Sequence, residues 1–339
     1  MNNYQIAQLS IENFFQQTLE IIKDFKNLKI PVNYYRQIEQ VVICGMGGSG
    51  LAGHILRSLL AEQLKLPFYL INDYYLPSFV KAKTLIIICS YSGNTQEVLA
   101  TARIAKQKKA KVFVISGGGK LNSLAQQNNW PSYVVNKKLN PSLLPNLGVI
   151  QMFVSQLVFL QKIKLSKLTS QEIRQSAEDI YKRRQQIFYV AKKYAKQLAG
   201  RPVVIVASEF LSGNAHALAN QINEIAKQFA VYLLLPELNH HLLEGLSQPP
   251  VVVKKFKFLF FDSINYSIIN RHRLELTRKV LAKQKIVSLK YQLSSSQKLE
   301  QILEGLLFSF YLSLSLSELN QVNPLALPWV KYFKQNLRG

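Results

Sequence analysis

The stretch Ser90-Tyr91-Ser92-Gly93-Asn94-Thr95 decides the fold class of this chain, because a buried strand is predicted before it and a helix after it. Residues 84–89 form an apolar run with the length and branching of a fully buried strand. Residues 96–102 have helical spacing, with Asn94 as the predicted N-cap and Glu97 three residues later. A strand that ends in hydroxyl groups and free helical N–H groups predicts an anion site, with phosphate as the leading ligand. The alternative is a polar turn without a ligand.

A second glycine loop, Gly45-Met46-Gly47-Gly48-Ser49-Gly50, follows a predicted strand at 41–44 and precedes a helix predicted to end at Leu60. Its G-x-G-x-x-G spacing also fits a dinucleotide site with Asp73 as the ribose-binding acid, so an NAD(P)-binding oxidoreductase is one hypothesis. Two hydroxyl-bearing loops at one sheet edge suit a compact phosphate better than a dinucleotide. The predicted phosphate-binding set is Gly47, Gly48, Ser49, Ser90, Ser92 and Thr95.

Strands and helices alternate along the chain, which predicts an α/β fold with parallel sheets. Strands are predicted in the first half at 41–44, 67–71, 84–89, 111–115 and 132–135, and in the second half at 203–206, 231–235, 256–261 and 285–289. Two helices are predicted over residues 149–200, around Leu165-Ser166-Lys167. We therefore predict two doubly wound parallel-sheet subdomains related by an internal repeat, at 1–150 and 151–320, followed by a C-terminal helix within 321–339.

The net charge of +23 requires an explanation. A nucleic-acid partner, the attraction of a small anionic substrate and a general compositional bias would each account for it. The lysines are scattered over predicted helix ends and loops, with few aromatic residues among them. This distribution favours the compositional bias, and we expect no nucleic-acid partner.

Membrane association is also not expected. The apolar stretch 302–319 is interrupted by Glu304 and Glu318, which indicates a buried helix. Cys44 and Cys89 lie at predicted strand ends, without disulfide or metal-ligand spacing, and the first residues lack the pattern of a signal peptide. These features predict a cytoplasmic protein.

The two glycine loops together resemble the sugar isomerase (SIS) domain, a doubly wound fold whose loops hold phosphosugars. Three further segments narrow the resemblance to the bifunctional phosphoglucose/phosphomannose isomerases. Residues 221–227 (QINEIAK) resemble the family's Q-x-N-E-x-x-K segment, and residues 236–240 (PELNH) resemble its P-E-x-N-H segment. Asn323-Pro324, followed by Val330, Phe333, Lys334 and Leu337, resembles its closing D-P…I-x-x-L-K-x-x-L helix. The resemblance covers nearly the full length of the chain.

The resemblance implies an isomerase that converts glucose 6-phosphate to fructose 6-phosphate through an enediol, with mannose 6-phosphate as a second substrate to test. Glu224 would move the proton between C1 and C2, while His240 and Lys334 would assist opening of the sugar ring. No metal and no redox cofactor are implied. The family also implies a homodimer in which His240 reaches the site of the partner subunit, and a role in carbohydrate metabolism through glycolysis and gluconeogenesis.

One departure from the family bears on catalysis. The family carries an arginine in a P-R-x-x-x-G stretch after the fifth strand, and here the two possible alignments place Leu144 or Ser142 at that position. Lys137 and Lys138 are the candidate substitutes, although lysine offers a point charge where arginine offers a fork. We therefore expect weak turnover, and a non-catalytic phosphosugar-binding protein is the alternative function. His241 stands where the family has an asparagine.

Overall fold

The computed structural model describes residues 1–337 of the chain and contains two parallel β-sheets. The first has the strand order β2-β1-β3-β4-β5, with bounds Gln40–Gly45 (β1), Phe68–Ile71 (β2), Thr84–Ser90 (β3), Lys111–Ser116 (β4) and Ser132–Val134 (β5). The second has the order β7-β6-β8-β9, with bounds Val203–Ser208 (β6), Ala230–Leu235 (β7), Lys257–Asp262 (β8) and Val287–Gln292 (β9). The four strands of the second sheet correspond in order to β2-β1-β3-β4 of the first, and β5 has no counterpart, so the predicted α/β fold with an internal repeat is confirmed.

Helices cover both sheets. In chain order their bounds are Asn3–Glu12 (α1), Phe14–Asn27 (α2), Gly47–Leu60 (α3), Gln96–Gln107 (α4), Gly119–Gln127 (α5), Val149–Lys162 (α6), Ser170–Lys182 (α7), Arg184–Leu198 (α8), Ser212–Ile225 (α9), Leu242–Gly245 (α10), Pro250–Val253 (α11), Ile268–Lys283 (α12), Lys298–Leu319 (α13) and Pro328–Asn336 (α14). Arg338 and Gly339, the end of the predicted segment 321–339, lie outside the described residues.

Two predicted element boundaries were wrong. Residues 149–200 form three helices, because the chain turns at Arg183, whose guanidinium donates to the buried Glu304 carboxylate at 3.0 Å. The last strand begins at Val287 and not at Lys285, because Lys285 has a φ of 59°, in the left-handed region that a strand does not use.

One hydrophobic core joins the two halves. It includes Ile55 of α3, Leu218 of α9 and Leu306 of α13, all of which are fully buried. Helix α13 is long and apolar enough to cross a membrane, but most of it is buried inside the protein, as predicted for the stretch 302–319. Because α3 and α9 pack against each other, residues from the second half lie close to the loops of the first.

Candidate active site

The loops that follow β1 and β3 lie side by side, because these two strands pair in parallel with Gly45 opposite Cys89. The buried Ser49 hydroxyl oxygen accepts a hydrogen bond from the backbone N–H of Tyr91 at 2.9 Å, which ties the two glycine loops together. This bond leaves the hydroxyl hydrogen of Ser49 uncommitted. The structure therefore brings both predicted phosphate loops to one sheet edge.

Ser90, Ser92 and Thr95 form a cluster of hydroxyl groups at the start of α4. Ser90 Oγ lies 2.9 Å from Thr95 Oγ1, and Ser92 Oγ lies 3.4 Å from each of those atoms. The first N–H groups of α4 have no partner within the helix, so they add donors to those of the hydroxyl cluster. Hydroxyl groups and a helix N-terminus together form an arrangement suited to an anion.

Asn94 has a different role from the one predicted. The N-cap of α4 is Thr95, whose extended backbone (φ −67°, ψ 122°) starts the helix one residue later than Asn94 would. Asn94 Oδ1 instead accepts a hydrogen bond from the backbone N–H of Lys120 at 3.1 Å. The prediction that Asn94 caps this helix was therefore wrong, and its side chain joins the loop to α5.

The corresponding helix start in the second half is occupied by a side chain of the protein itself. The loop after β8 leads to α12, as the loop after β3 leads to α4. There Glu209 Oε1 accepts hydrogen bonds from Ser267 N at 2.9 Å, Ser267 Oγ at 2.7 Å and Asn270 Nδ2 at 2.8 Å. A carboxylate thus accepts from the donors at the start of α12. The corresponding hydroxyl groups of Ser90, Ser92 and Thr95 in the first half make no hydrogen bond to an acidic side chain among residues 1–337.

The loop after β5 crosses the start of α3. A Cβ atom at Gly48 would lie 2.4 Å from the carbonyl oxygen of Pro145, so only glycine permits this approach. The next residue, Asn146, is 2% exposed and donates a hydrogen bond from Nδ2 to Glu224 Oε2 at 3.2 Å. Through Asn146, the predicted base Glu224 on α9 is therefore connected to the sheet edge that carries the two phosphate loops.

Burial raises the pKa of the Glu224 carboxyl above its ordinary value. The hydrogen bond from Asn146 and the positive charges of Lys227 and Lys334 act on that pKa in the opposite direction. Lys334 on α14 thus lies close enough to influence Glu224 within the same chain. The structure brings these two predicted catalytic residues together.

His240 is not part of this cluster within one chain. It is exposed at the end of a short 3-10 turn, Glu237–His240, that follows β7. Across residues 1–337 no hydrogen bond or ion pair joins His240 to Glu224 or to Lys334. Its predicted role remains a prediction that requires a second subunit.

Neither residue at the expected arginine position supplies a cation. Leu144 is buried, and Ser142 Oγ donates to Asn140 Oδ1 at 2.5 Å. Of the two candidate substitutes, Lys138 is exposed, whereas the Lys137 ammonium lies 5.8 Å from the centre of the Tyr91 ring. The structure therefore places Lys137 beside the hydroxyl loop.

Lys137 occupies space that a side chain at residue 117 would fill. A Cβ atom at Gly117 would lie 2.2 Å from Lys137 Cε and 2.9 Å from its Nζ. Gly117 N in turn donates to the carbonyl oxygen of Ser90 at 3.3 Å. No acidic side chain forms an ion pair with Lys137 among the described residues, so its charge is available to a ligand.

Sequence reasoning missed Asn146. An asparagine in a loop beside a proline is typical of a turn, and nothing in its neighbourhood distinguishes it from Asn140. Its contact with Glu224 spans 78 residues of sequence. The same reasoning identified Lys137 but could not separate it from Lys138.

Within residues 1–337, no group of three His, Cys, Asp or Glu side chains could hold a metal ion.

Models of known families match both halves of the chain. Residues 34–162 match the SIS domain, and residues 189–337 match the bacterial phospho-glucose isomerase C-terminal SIS domain. The chain belongs to the SIS-domain sugar isomerase family. The predicted resemblance is confirmed by these two matches, which follow one another along the chain in the order of the two sheets.

Similar proteins agree with this family membership. This SIS-domain chain is 28% identical to the bifunctional phosphoglucose/phosphomannose isomerase of Caldicellulosiruptor bescii, over 97% of its own length and 98% of the relative's. It is 27% identical to the protein of the same name from Aquifex aeolicus, over 88% and 90% of the two chains. Its fold is similar to that of tagatose-6-phosphate ketose/aldose isomerase from Escherichia coli, with a TM-score of 0.71, 16% identity and 96% of each chain covered.

Proposed function

We propose that this chain interconverts glucose 6-phosphate and fructose 6-phosphate, and that it also accepts mannose 6-phosphate. The observation that carries the proposal is the half-buried Glu224 carboxyl, which accepts a hydrogen bond from Asn146 next to the start of α3 and lies within reach of the positive charge of Lys334. An aldose–ketose isomerase needs a carboxylate beside C1 and C2 of a sugar whose phosphate is bound a few ångströms away. The relatives named as bifunctional phosphoglucose/phosphomannose isomerases support the choice of substrates.

The chemistry requires one base and two sites of proton exchange at oxygen. His240 and Lys334 assist ring opening by moving protons at the ring oxygen and at O1. Glu224 then takes the proton from C2 of the open-chain aldose while O1 gains a proton, which gives an enediol. Return of the proton to C1, with loss of the proton from O2, gives the ketose. Glucose 6-phosphate and mannose 6-phosphate differ only at C2, so both give the same enediol.

In this proposal each of the three parts of the chain contributes different residues to the active site. Residues 1–150 hold the phosphate through the set Gly47, Gly48, Ser49, Ser90, Ser92 and Thr95. Residues 151–320 provide Glu224 and His240, and the segment 321–339 provides Lys334. The raised pKa of Glu224 suits it to exchange a proton near neutral pH, because a general base works best when its pKa approaches the working pH.

A homodimer is part of the proposal, since no hydrogen bond or ion pair joins His240 to Glu224 within residues 1–337 of the single chain. The exposed apolar side chains of α14 support an intersubunit role for this helix: Trp329 is 81% exposed, and Tyr332 and Phe333 are each 63% exposed. An apolar surface of this kind is typical of an interface. We place the dimer in the cytoplasm, in glycolysis and gluconeogenesis, and its two free, buried thiols are compatible with that compartment.

A coupled assay with the purified chain tests the proposal. Fructose 6-phosphate is supplied, and the formation of each aldose 6-phosphate is measured for the wild type and for Glu224→Gln. We expect turnover by the wild type and a loss of about 10²- to 10⁴-fold in the variant, with the affinity for fructose 6-phosphate unchanged. Equal turnover in the two proteins would assign the base to another residue.

A non-catalytic phosphosugar-binding protein is the second candidate, because neither Leu144, which is buried, nor Ser142 supplies the cation expected at the arginine position. It predicts calorimetric binding of fructose 6-phosphate without turnover. A titration with NADH tests the oxidoreductase hypothesis, which predicts saturable binding at the loop Gly45–Gly50.

A further inference from the structure

We propose that Asn146 is a positioning residue that orients the Glu224 carboxylate, so that Oε1 is the favoured oxygen for exchange of the substrate proton. The inference rests on the proposed isomerase function and deepens it, since it identifies which oxygen of the base carries the proton. No sequence motif singles out this asparagine.

The hydrogen-bond pattern around the carboxylate distinguishes its two oxygens. Asn146 Nδ2 donates to Oε2 at 3.2 Å, and among residues 1–337 no other hydrogen bond reaches either oxygen. Lys227 donates to the backbone carbonyl oxygen of Glu224 and not to its carboxylate. Oε2 therefore has a donor, and Oε1 has none.

The backbone on both sides of Asn146 is held by the fold, and its buried Oδ1 atom has no hydrogen-bond partner among residues 1–337, so the bond to Glu224 is what orients the amide. Asn146 is 2% exposed and lies between Pro145, whose carbonyl packs against Gly48, and Leu147, whose N–H donates to the carbonyl oxygen of Leu144 at 3.1 Å. A reversed amide would direct Oδ1 at a carboxylate oxygen, and two acceptors repel each other. The loop therefore presents a fixed N–H donor to the base.

The single donor also affects the proton that Glu224 transfers from C2 to C1. When Glu224 takes a proton from C2, protonation of Oε2 would weaken the hydrogen bond that this oxygen accepts from Asn146, whereas protonation of Oε1 leaves that bond intact. The proton is therefore favoured on Oε1, on the same face of the enediol, and returns to C1 from there. Without the donor, either oxygen can carry the proton, and rotation of the carboxyl takes it away from the substrate.

Removal of the donor also changes the titration of the base. The charged groups that face Glu224 are Lys227 on the adjacent turn and Lys334 on α14, and both remain in an Asn146 variant. The carboxylate would lose its one hydrogen bond while it stays half-buried. Its pKa should rise, because a hydrogen bond to the charged form is what holds it down. The expected rise is about 1 to 2 pH units, the equivalent of one charge-assisted hydrogen bond.

The test uses two variants and two measurements. Asn146→Leu removes the donor and excludes water, whereas Asn146→Ala leaves room for a water molecule that can donate in its place. Carbon-13 NMR of glutamate-labelled protein follows the pKa of the Glu224 carboxyl, with Glu224→Gln used to assign the signal. Steady-state kinetics in the coupled assay follow kcat, KM and their pH dependence, and thermal unfolding checks that each variant is folded.

We expect the pKa of Glu224 to rise by about 1 to 2 units in Asn146→Leu and by less in Asn146→Ala. The acid limb of kcat/KM should move by the same amount, kcat should fall about 10- to 100-fold above that limb, and KM should change little. In a Glu224→Gln background, Asn146→Leu should cause no further loss. An unchanged pKa and kcat in a folded variant would overturn the inference, and Asn146→Ala decides if the leucine variant does not fold.

Failure of the proposed function gives a different result. A wild type that turns over no sugar rejects the isomerase and the proton-exchange role together, while the NMR titration still reports whether Asn146 controls the carboxyl. A wild type that is active, with an Asn146→Leu variant of unchanged pKa and kcat, rejects the positioning role alone.

Discussion

Replacement of Lys137 by methionine should cost the enzyme most of its activity. Methionine keeps the length and apolar contacts of the lysine stem but removes the ammonium group that lies 5.8 Å from the Tyr91 ring centre. The family resemblance implies an arginine that carries the positive charge of the site, and here that position is taken by Leu144, which is buried, or by Ser142. Lys137 is the cation that the described structure brings to the hydroxyl loop.

The size of the effect follows from Coulomb's law. A unit charge about 6 Å from a substrate anion contributes about 3 kcal/mol at an effective dielectric constant of about 20. Lys137 is half-exposed, so solvent screening reduces this figure to about 1.4–2.5 kcal/mol. We therefore expect kcat/KM to fall about 10- to 60-fold in Lys137→Met, since 1.4 kcal/mol corresponds to about a factor of ten.

The neighbouring lysine provides a matched control. Lys138→Met removes the same charge from the next residue, which is exposed and whose side chain makes no hydrogen bond or ion pair among residues 1–337. Its activity should stay within about twofold of the wild type, as for surface charges in general. The Leu144→Arg change should restore part of the turnover of Lys137→Met. Strong wild-type turnover that survives Lys137→Met would refute the reasoning and assign the positive charge to another group.

Three further predictions concern the phosphate, the base and the dimer. Ser90→Ala or Thr95→Ala should weaken calorimetric binding of fructose 6-phosphate about tenfold or more, because each removes a charge-assisted hydrogen bond, and unchanged binding would move the phosphate elsewhere. The kcat/KM value should fall as the pH is lowered through the pKa of Glu224, because the carboxylate is the active form and burial raises that pKa; the acid limb should therefore lie above about pH 4.3, the value for an exposed glutamate. Two inactive variants, His240→Ala and Glu224→Gln, should regain activity when mixed if His240 serves the partner subunit, whereas a site made within one chain would leave the mixture inactive.

The sheets could be predicted from the sequence because their strands are short apolar runs bounded by glycine and polar residues. The hydroxyl loop after β3 and the glycine loop after β1 were predicted to meet, since parallel strands place their carboxyl ends at one edge. The Gln221–Lys227 segment located Glu224 through its resemblance to a known family. These features depend on local sequence or on a family motif.

The features that sequence reasoning missed depend on contacts between distant parts of the chain. The turn at Arg183 contains no glycine or proline, and its visible cause is an ion pair with Glu304, which is 121 residues away. Asn146 acts on a carboxylate 78 residues away. Lys137 and Lys138 are adjacent and chemically identical, and only the backbone of the turn Lys137–Leu139 decides which of them lies over Tyr91.

The Glu209 carboxylate limits the number of phosphosugar molecules that one chain can bind. It is covalently tethered to the donors at the start of α12, so its effective concentration there is on the order of millimolar or higher. A free phosphate must compete with this permanent occupant in the second half, whereas in the first half it meets only hydroxyl and N–H groups. Binding of a phosphosugar should therefore saturate at one molecule per subunit, although the order of four parallel strands occurs twice in the chain.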